Sequence, residues 1–228
     1  MRVAAWSGPR NLSTAMMYAF AQRPGWRVLD EPFYAAFLHR TGLDHPMRDA
    51  VLAAQPTDPA AVAAALRDAP ARTYAKLMVH HMDGVPLGWA EGWTHLHLIR
   101  HPARVIASYG AKRGAMTEGD IGFAAQAALY DRLGGVVLDT ADMARDPAGA
   151  TAALCAALGL DPDDAMLSWP AGPKPYDGAW APHWYDAAHR STGLRPRADD
   201  PLPRVADARL LRSALPFYDA MRAHAIRV

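Results

Sequence analysis

The sequence has little of three things: cysteine, excess charge of one sign, and long apolar runs. Its single cysteine, Cys155, excludes an internal disulfide and suits a reducing compartment. Lysine and arginine number 24 against 23 aspartate and glutamate, so the net charge of +1 argues against a general nucleic-acid binder. No apolar run approaches the roughly 18 residues that a membrane span needs. We therefore expect a soluble, cytoplasmic protein without a leader segment, which binds neither nucleic acid nor membrane.

What the sequence does have is a regular alternation of short apolar runs and helical patterns. Hydrophobic residues make up 51% of the 228 residues, enough for a sizeable core. The alternation predicts an α/β fold, a three-layer sandwich in which helices cover a central, mainly parallel sheet of about five strands. The predicted strands are Arg2–Trp6, Arg27–Asp30, Thr73–Met78, His95–Ile99 and Val136–Asp139.

Helices are predicted between and after these strands, and one later segment has a different texture. Asp161–Pro203 is rich in proline, glycine and aromatics, which predicts an ordered cap over the sheet edge and not a linker. We expect one domain over residues 1–228, with a core at 1–160 and the cap and a last helix at 161–228. The predicted helices are Ala15–Gln22, Tyr34–Arg40, Ala60–Asp68, Ala103–Lys112, Phe123–Leu133, one from Pro147 to Gly159, and Val205–His224.

The segment SGPRNLST joins the first predicted strand to the first helix. A tight turn at a helix N-terminus presents free backbone N–H groups, which suit an anion. Arg10 adds charge there, and Ser13 and Thr14 add hydroxyls. The loop lacks the lysine and the second glycine of the triphosphate-binding pattern, so it suits one terminal phosphate better than a β/γ pair. The alternative is an ordinary turn in which Ser13 or Thr14 caps the helix.

A second strand-to-helix junction follows the fourth predicted strand, in HLHLIRHPARVIASY. Arg100 stands at the carboxyl end of that strand, and Ser108 follows two helical turns later. Since ligands of parallel α/β sheets bind outside the carboxyl ends of the strands, Arg100 faces the same crevice as the first loop. A structural ion pair is the alternative for Arg100 alone. Together, the two junctions suit a ligand with two separated phosphates.

The two junctions resemble motifs of the sulfotransferases that use 3′-phosphoadenosine 5′-phosphosulfate (PAPS). Pro9–Thr14 resembles their 5′-phosphosulfate loop, and Leu98–Tyr109 resembles their 3′-phosphate motif. The resemblance covers roughly residues 2–160 and implies a P-loop-like nucleotide-binding fold. Two features depart from it: Asn11-Leu12 replaces the usual Ser-Gly, and only Gly193–Arg197 is available for the family's glycine-rich C-terminal motif. The donor-binding residues that the resemblance implies are Arg10, Asn11, Ser13, Thr14, Arg100 and Ser108.

The resemblance also implies the chemistry, sulfuryl transfer from PAPS to a hydroxyl or amine with no metal. Glu31, at the end of the second strand, is then the base, while Lys76 and Arg10 supply positive charge at the transferred group. Two readings of this region remain open. In the first, the protein is a P-loop-like kinase or NTPase in which Asp30 holds Mg²⁺. In the second, Glu31 has the structural role of capping the next helix. A non-catalytic nucleotide-binding member of the fold is a third function.

Histidines and aromatics supply further candidates. His80 or His81 is the alternative base, since a neutral imidazole works near pH 7. A zinc site is not expected, because zinc takes about four N or S ligands and the chain has one cysteine. The acceptor is expected to be a small molecule of unknown identity, and a homo-oligomer is left open. The predicted cap offers aromatics that either pack it or form a stacking surface: Trp169, Tyr176, Trp180, Trp184 and Tyr185.

Overall fold

A computed structural model describes residues 1–113, 116–197 and 200–228 of the chain, apart from the side chains of Lys112 and Arg113. Its centre is one sheet of five strands in the order β2-β3-β1-β4-β5, and every neighbouring pair is parallel. The prediction of an α/β fold with about five strands is confirmed, and the sheet is wholly parallel. The strands are β1 (Arg2–Ser7), β2 (Arg27–Asp30), β3 (Thr73–Met78), β4 (Thr94–Ile99) and β5 (Val136–Asp139).

The central strand β1 and its neighbour β3 are buried on both faces. β3 is buried at all six positions, and β1 is buried from Val3 onward. Near-continuous apolar runs are typical of parallel strands that helices cover on both sides. Their apolar composition is therefore what made these strands predictable.

Helices surround the sheet, and each predicted helix begins and ends within three residues of its predicted bounds. α9 begins at Pro147, where the Asp146 side chain accepts a hydrogen bond from the Gly149 N–H. The helices are α1 (Ser13–Ala21), α2 (Tyr34–Thr41), α3 (Arg48–Ala54), α4 (Pro59–Arg67), α5 (Pro102–Arg113), α6 (Glu118–Ile121), α7 (Phe123–Leu133), α8 (Thr140–Arg145), α9 (Pro147–Ala157), α10 (Ala181–Trp184), α11 (Asp186–Arg190) and α12 (Ala208–Arg222). Five of these, α3, α6, α8, α10 and α11, were not predicted; all are short.

The cap is mostly loop with short helices, as predicted. Trp180 and Tyr185 pack with α2 and α3 in one apolar cluster that includes Tyr34 and Val51. Because α2 follows β2, this cluster fixes the cap beside the carboxyl ends of β2 and β3. Within the described ranges, no helix has the length and apolar character needed to cross a bilayer.

Candidate active site

A cavity of about 630 Å³ lies among residues that follow the carboxyl ends of β1 to β4. Pockets for small molecules typically measure about 300–1,000 Å³. Part of its wall comes from the cap and part from the strand ends. All of the residues predicted for donor binding or catalysis line it: Arg10, Asn11, Ser13, Thr14, Glu31, Lys76, Arg100 and Ser108.

The backbone of the loop after β1 has a shape that suits an anion. Arg10 and Leu12 both adopt the left-handed conformation, with φ of 63° and 57°. Such turns point successive N–H groups into one concavity. Leu12 is the N-cap residue of α1 and its side chain makes no capping hydrogen bond. The alternative that Ser13 or Thr14 caps α1 is therefore wrong, since both lie inside its first turn.

Asn11 anchors this loop to the sheet. Its side-chain amide donates to the backbone oxygen of Leu98 at 3.1 Å, and the residue is almost wholly buried. Leu12 in the left-handed region costs on the order of 1 kcal/mol or more. The bond to β4 fixes the loop in this shape. Donor binding by Asn11 stays a prediction.

The two predicted anion-binding junctions touch each other directly. The Arg10 Nε donates to Ser108 Oγ at 2.9 Å, and an Arg100 guanidinium nitrogen donates to the Arg10 backbone oxygen at 2.8 Å. Burial, together with the neighbouring charges of Arg104, Arg10 and Arg197, lowers the pKa of Arg100 to about 10. Like charges gathered in this way favour an anionic ligand among them. This end of the cavity is its basic end.

Gly193–Arg197 closes the same end of the cavity. Gly193, Leu194, Arg195 and Arg197 all line it, and the Arg197 N–H donates to the Ala144 oxygen at 2.7 Å. Gly193 has a φ of 152°, and a side chain there would clash with the Leu167 carbonyl oxygen. The segment weighed as a substitute for the glycine-rich motif therefore lies beside the basic end. Sequence reasoning did not single out Arg197, because nothing in its spacing ties it to Arg100.

Lys76 joins both acidic residues at the end of β2. Its Nζ donates to Asp30 Oδ1 at 2.9 Å, to Glu31 Oε1 at 2.7 Å, and to the Tyr185 hydroxyl. The strand register explains this meeting, since Asp30 pairs with Lys76 across β2 and β3. Burial alone would lower the pKa of Lys76, but the two carboxylates outweigh it and hold the pKa above its ordinary value. Lys76 is therefore a cation.

Glu31 has the burial expected of a general base. It lines the cavity with 8% of its surface exposed. Burial raises the pKa of the Glu31 carboxyl, the Asp30 charge raises it further, and Lys76 opposes both. Its φ of 40° lies in the left-handed region, a strain that clusters at functional sites. A carboxyl with a raised pKa is better suited to accept a proton near neutral pH than an ordinary one.

Asp30 has a different environment from Glu31. Its Oδ1 accepts from Lys76, its Oδ2 accepts from the Gly178 N–H at 3.0 Å, and the Tyr185 hydroxyl donates to both oxygens. It is not among the residues that line the cavity. These bonds occupy most of the lone pairs that a magnesium ion would need, so they favour a structural role for Asp30. Among the described residues, no cluster of three or more His, Cys, Asp or Glu is arranged to hold a metal ion.

The two candidate histidines lie on the wall opposite the basic end. The His81 ring stacks between Tyr34 and Phe37, with 4.7 Å between ring centroids on either side. Burial lowers the pKa of His81 well below its ordinary value, and the adjacent His80 adds to this effect. A sandwiched, neutral imidazole with so low a pKa is a weak base. This geometry favours Glu31 over His81 as the base.

The cap aromatics divide into two groups. Trp169, Trp180, Trp184 and Tyr185 line the cavity, whereas Tyr176 packs edge-on against Tyr18 and is absent from the lining. The Tyr185 hydroxyl, which contacts both Lys76 and Asp30, was grouped with the other aromatics in the sequence. No spacing or motif distinguishes it, because its partners lie more than 100 positions earlier in the chain.

A protein-family model and two solved structures both relate this chain to sulfotransferase domains. The model of the sulfotransferase domain family matches residues 1–225. The fold is similar to the sulfotransferase domain from the Synechococcus PCC 7002 olefin synthase, with a TM-score of 0.64 and 19% identity over 97% of this chain and 94% of that one. It is also similar to the sulfotransferase domain from the curacin biosynthetic pathway, with a TM-score of 0.54 and 15% identity over 94% and 97% of the two chains. At these identities the likeness shows a shared fold.

Two curated proteins of Arabidopsis thaliana are similar in sequence. They are branched-chain-amino-acid aminotransferase-like proteins 2 and 1, each 34% identical, over 232 and 234 residues. The matches cover 97% of this chain but 41% and 42% of those proteins. The chain thus spans about two fifths of the length of these curated relatives.

Proposed function

The chain belongs to the sulfotransferase domain family, and on that premise we propose that it transfers a sulfuryl group from PAPS to a hydroxyl or amine of a small acceptor. One observation carries the proposal: the eight predicted residues come from four separate segments of the chain and line a single cavity. Anion-binding groups occupy one end of that cavity. A buried lysine and a carboxyl with a raised pKa occupy the other.

The residues of the basic end fit a donor with two separated acidic groups. The uncapped first turn of α1, with Ser13 and Thr14, suits the 5′-phosphosulfate. Arg100 and Ser108 suit the 3′-phosphate, with Arg197 close enough to lower the pKa of Arg100. Because the Arg10 guanidinium is turned toward Ser108, we assign Arg10 mainly to donor binding. A role of Arg10 at the transferred group stays a prediction.

The proposed mechanism uses two side chains at the far end of the cavity. Bound PAPS supplies the sulfuryl group and leaves as 3′,5′-ADP. Glu31 accepts the proton of the acceptor hydroxyl or amine. Lys76 places its positive charge beside the reacting group, where charge develops. Preorganised charge and positioning carry most of the catalysis in comparable group transfers, and here Lys76 and the arginines supply that charge.

The wall beyond Glu31 is the proposed place for the acceptor. Tyr34 stacks on His81 and meets Trp180 edge-on, with ring centroids 5.1 Å apart. All three side chains line the cavity. Aromatic surfaces of this kind bind flat or apolar groups. We propose that the acceptor's body lies on this wall and presents its nucleophile to Glu31.

Turnover of PAPS in the presence of a metal chelator is the direct test of this function. The protein should release 3′,5′-ADP from PAPS in the presence of EDTA and a panel of alcohols, phenols and amines. Nucleotide turnover that needs Mg²⁺ and is abolished by Asp30→Asn would support a kinase or NTPase. Binding of 3′,5′-ADP without turnover of PAPS on a broad panel would support a non-catalytic member of the fold.

A further inference from the structure

Lys76 has no hydrogen left to donate to a substrate. An ammonium group has three N–H donors, and in this structure they go to Asp30, Glu31 and the Tyr185 hydroxyl. The lysine is 2% exposed, so water does not provide an alternative partner. If Lys76 contacts the transferred group, as the proposed function requires, one of these three bonds must be exchanged for it.

The three partners of Lys76 differ in how firmly they are held. Asp30 is fixed by bonds from Tyr185 and the Gly178 N–H and lies behind the cavity wall. Glu31 faces the cavity, and within the described part of the chain Lys76 is the hydrogen-bond partner of its carboxylate. The bond between Lys76 and Glu31 is therefore the one that substrates can reach.

The Tyr185 hydroxyl is as fully committed as Asp30. It donates to the nearer Asp30 oxygen at 2.7 Å. It accepts one hydrogen bond from Lys76 and another, at 3.0 Å, from the Trp180 indole. The Lys76 Nζ also lies 4.7 Å from the centre of the Tyr185 ring. Burial raises the pKa of Tyr185 well above its ordinary value, so the hydroxyl keeps its proton. Tyr185 is a fixed neutral group that cannot follow Lys76 if the lysine moves.

We propose that Tyr185 is a positioning residue, which with Asp30 holds Lys76 so that the bond to Glu31 is the one exchanged for an oxygen of the transferred group. This rests on the proposed function. The exchange has two effects at once: Lys76 turns to the donor, and Glu31 loses the cation that lowers its pKa. Glu31 thus becomes a stronger base when the donor is in place. The cap supplies Tyr185, so an ordered cap is a condition for this arrangement.

Tyr185→Phe is the conservative variant that removes only the hydroxyl. It should lower kcat by about tenfold or more, the scale of one lost hydrogen bond to a charged group. Because the donor is held at the basic end, the Kd of 3′,5′-ADP should stay within about twofold. The matched control is Tyr176→Phe, a cap tyrosine outside the cavity lining, which should leave both quantities unchanged.

A double-mutant cycle with Lys76→Met separates positioning from a structural role. The kcat values of the wild type, Tyr185→Phe, Lys76→Met and the double variant are compared, with thermal melting of each. If Tyr185 acts through Lys76, the double variant should have nearly the same kcat as Lys76→Met. An equal loss in both backgrounds, or an unchanged kcat in Tyr185→Phe, overturns the inference alone. A folded wild type that turns over no PAPS overturns the proposed function and the inference with it.

Discussion

The basic end of the cavity and the opposite end, which holds Glu31, Lys76, His81 and Tyr185 and is here named the cap end, are built in different ways. At the basic end, Arg10, Arg100 and Ser108 come from two strand-to-helix junctions, and the cap adds Arg197 beside them. The cap end meets Lys76 through Tyr185, which is 109 positions away in the chain. Two turns with recognisable local sequence supply most of the basic end, whereas the contacts of Lys76 at the cap end depend on tertiary packing alone. We therefore expect substitutions at the basic end to change donor affinity and those at the cap end to change the rate of transfer.

The largest expected effect is on rate, at Glu31. Glu31→Gln should lower kcat by about 100-fold or more, because an amide cannot accept the acceptor's proton. The Kd of 3′,5′-ADP should not change. Glu91→Gln is the matched control, since Glu91 is exposed and outside the cavity lining. Steady-state kinetics with PAPS and calorimetry with 3′,5′-ADP measure the two quantities. An unchanged kcat in Glu31→Gln would assign the base to another group, with His81 next in line.

At the basic end the largest effect is expected from Arg100. Arg100→Ala should raise the Kd of 3′,5′-ADP about ten- to a hundredfold, the scale of a lost hydrogen bond to a charged group. Binding of 5′-AMP, which lacks the 3′-phosphate, should change far less. Arg132→Ala, at an exposed position on α7, is the control. Equal weakening of both nucleotides would show that Arg100 does not read the 3′-phosphate.

Lowering the pH should lower the stability of the folded protein through His81, at the cap end. Burial lowers the pKa of His81 in the folded protein, so below the ordinary value of 6.5 the unfolded chain binds protons that the folded chain does not. The free energy of unfolding must then fall as the pH falls through 6.5. Urea unfolding at pH 7.5 and 5 should show a smaller fall in His81→Gln than in the wild type. His39→Gln, at an exposed site, should keep the wild-type fall; the same fall in both variants contradicts the assignment.

The smallest effect is expected at Ser108, which holds Arg10 at 2.9 Å. Ser108→Ala should raise the Kd of 3′,5′-ADP about fivefold, because it removes one hydroxyl hydrogen bond and leaves Arg100 in place. The kcat should be unchanged, since Ser108 lies on the basic end. Calorimetry compares it with Ser213→Ala on α12, whose hydroxyl donates to the Leu210 oxygen of its own helix. A change in kcat as large as the change in Kd would break the division between the two ends.

The sequence predicts the sheet and the two junctions of the basic end because both follow from short stretches of chain. Buried parallel strands have apolar runs, and a strand ending in a glycine turn before a helix indicates an anion site. The sequence does not predict the contacts between segments that lie far apart in the chain. The bond from Asn11 to β4 and the role of Tyr185 depend on which segments pack together. The short helices α10 and α11, which carry that packing, have too few residues for a periodic pattern to show.

The proposed binding of two separated phosphates at the basic end is tested most directly by calorimetric titration of the wild type with 3′,5′-ADP in EDTA and with ATP in Mg²⁺. If Arg100 and Ser108 hold one phosphate and the loop at Arg10 the other, 3′,5′-ADP should bind without metal and more tightly than ATP. Tight binding of ATP with Mg²⁺, together with no binding of 3′,5′-ADP, would contradict the proposed donor.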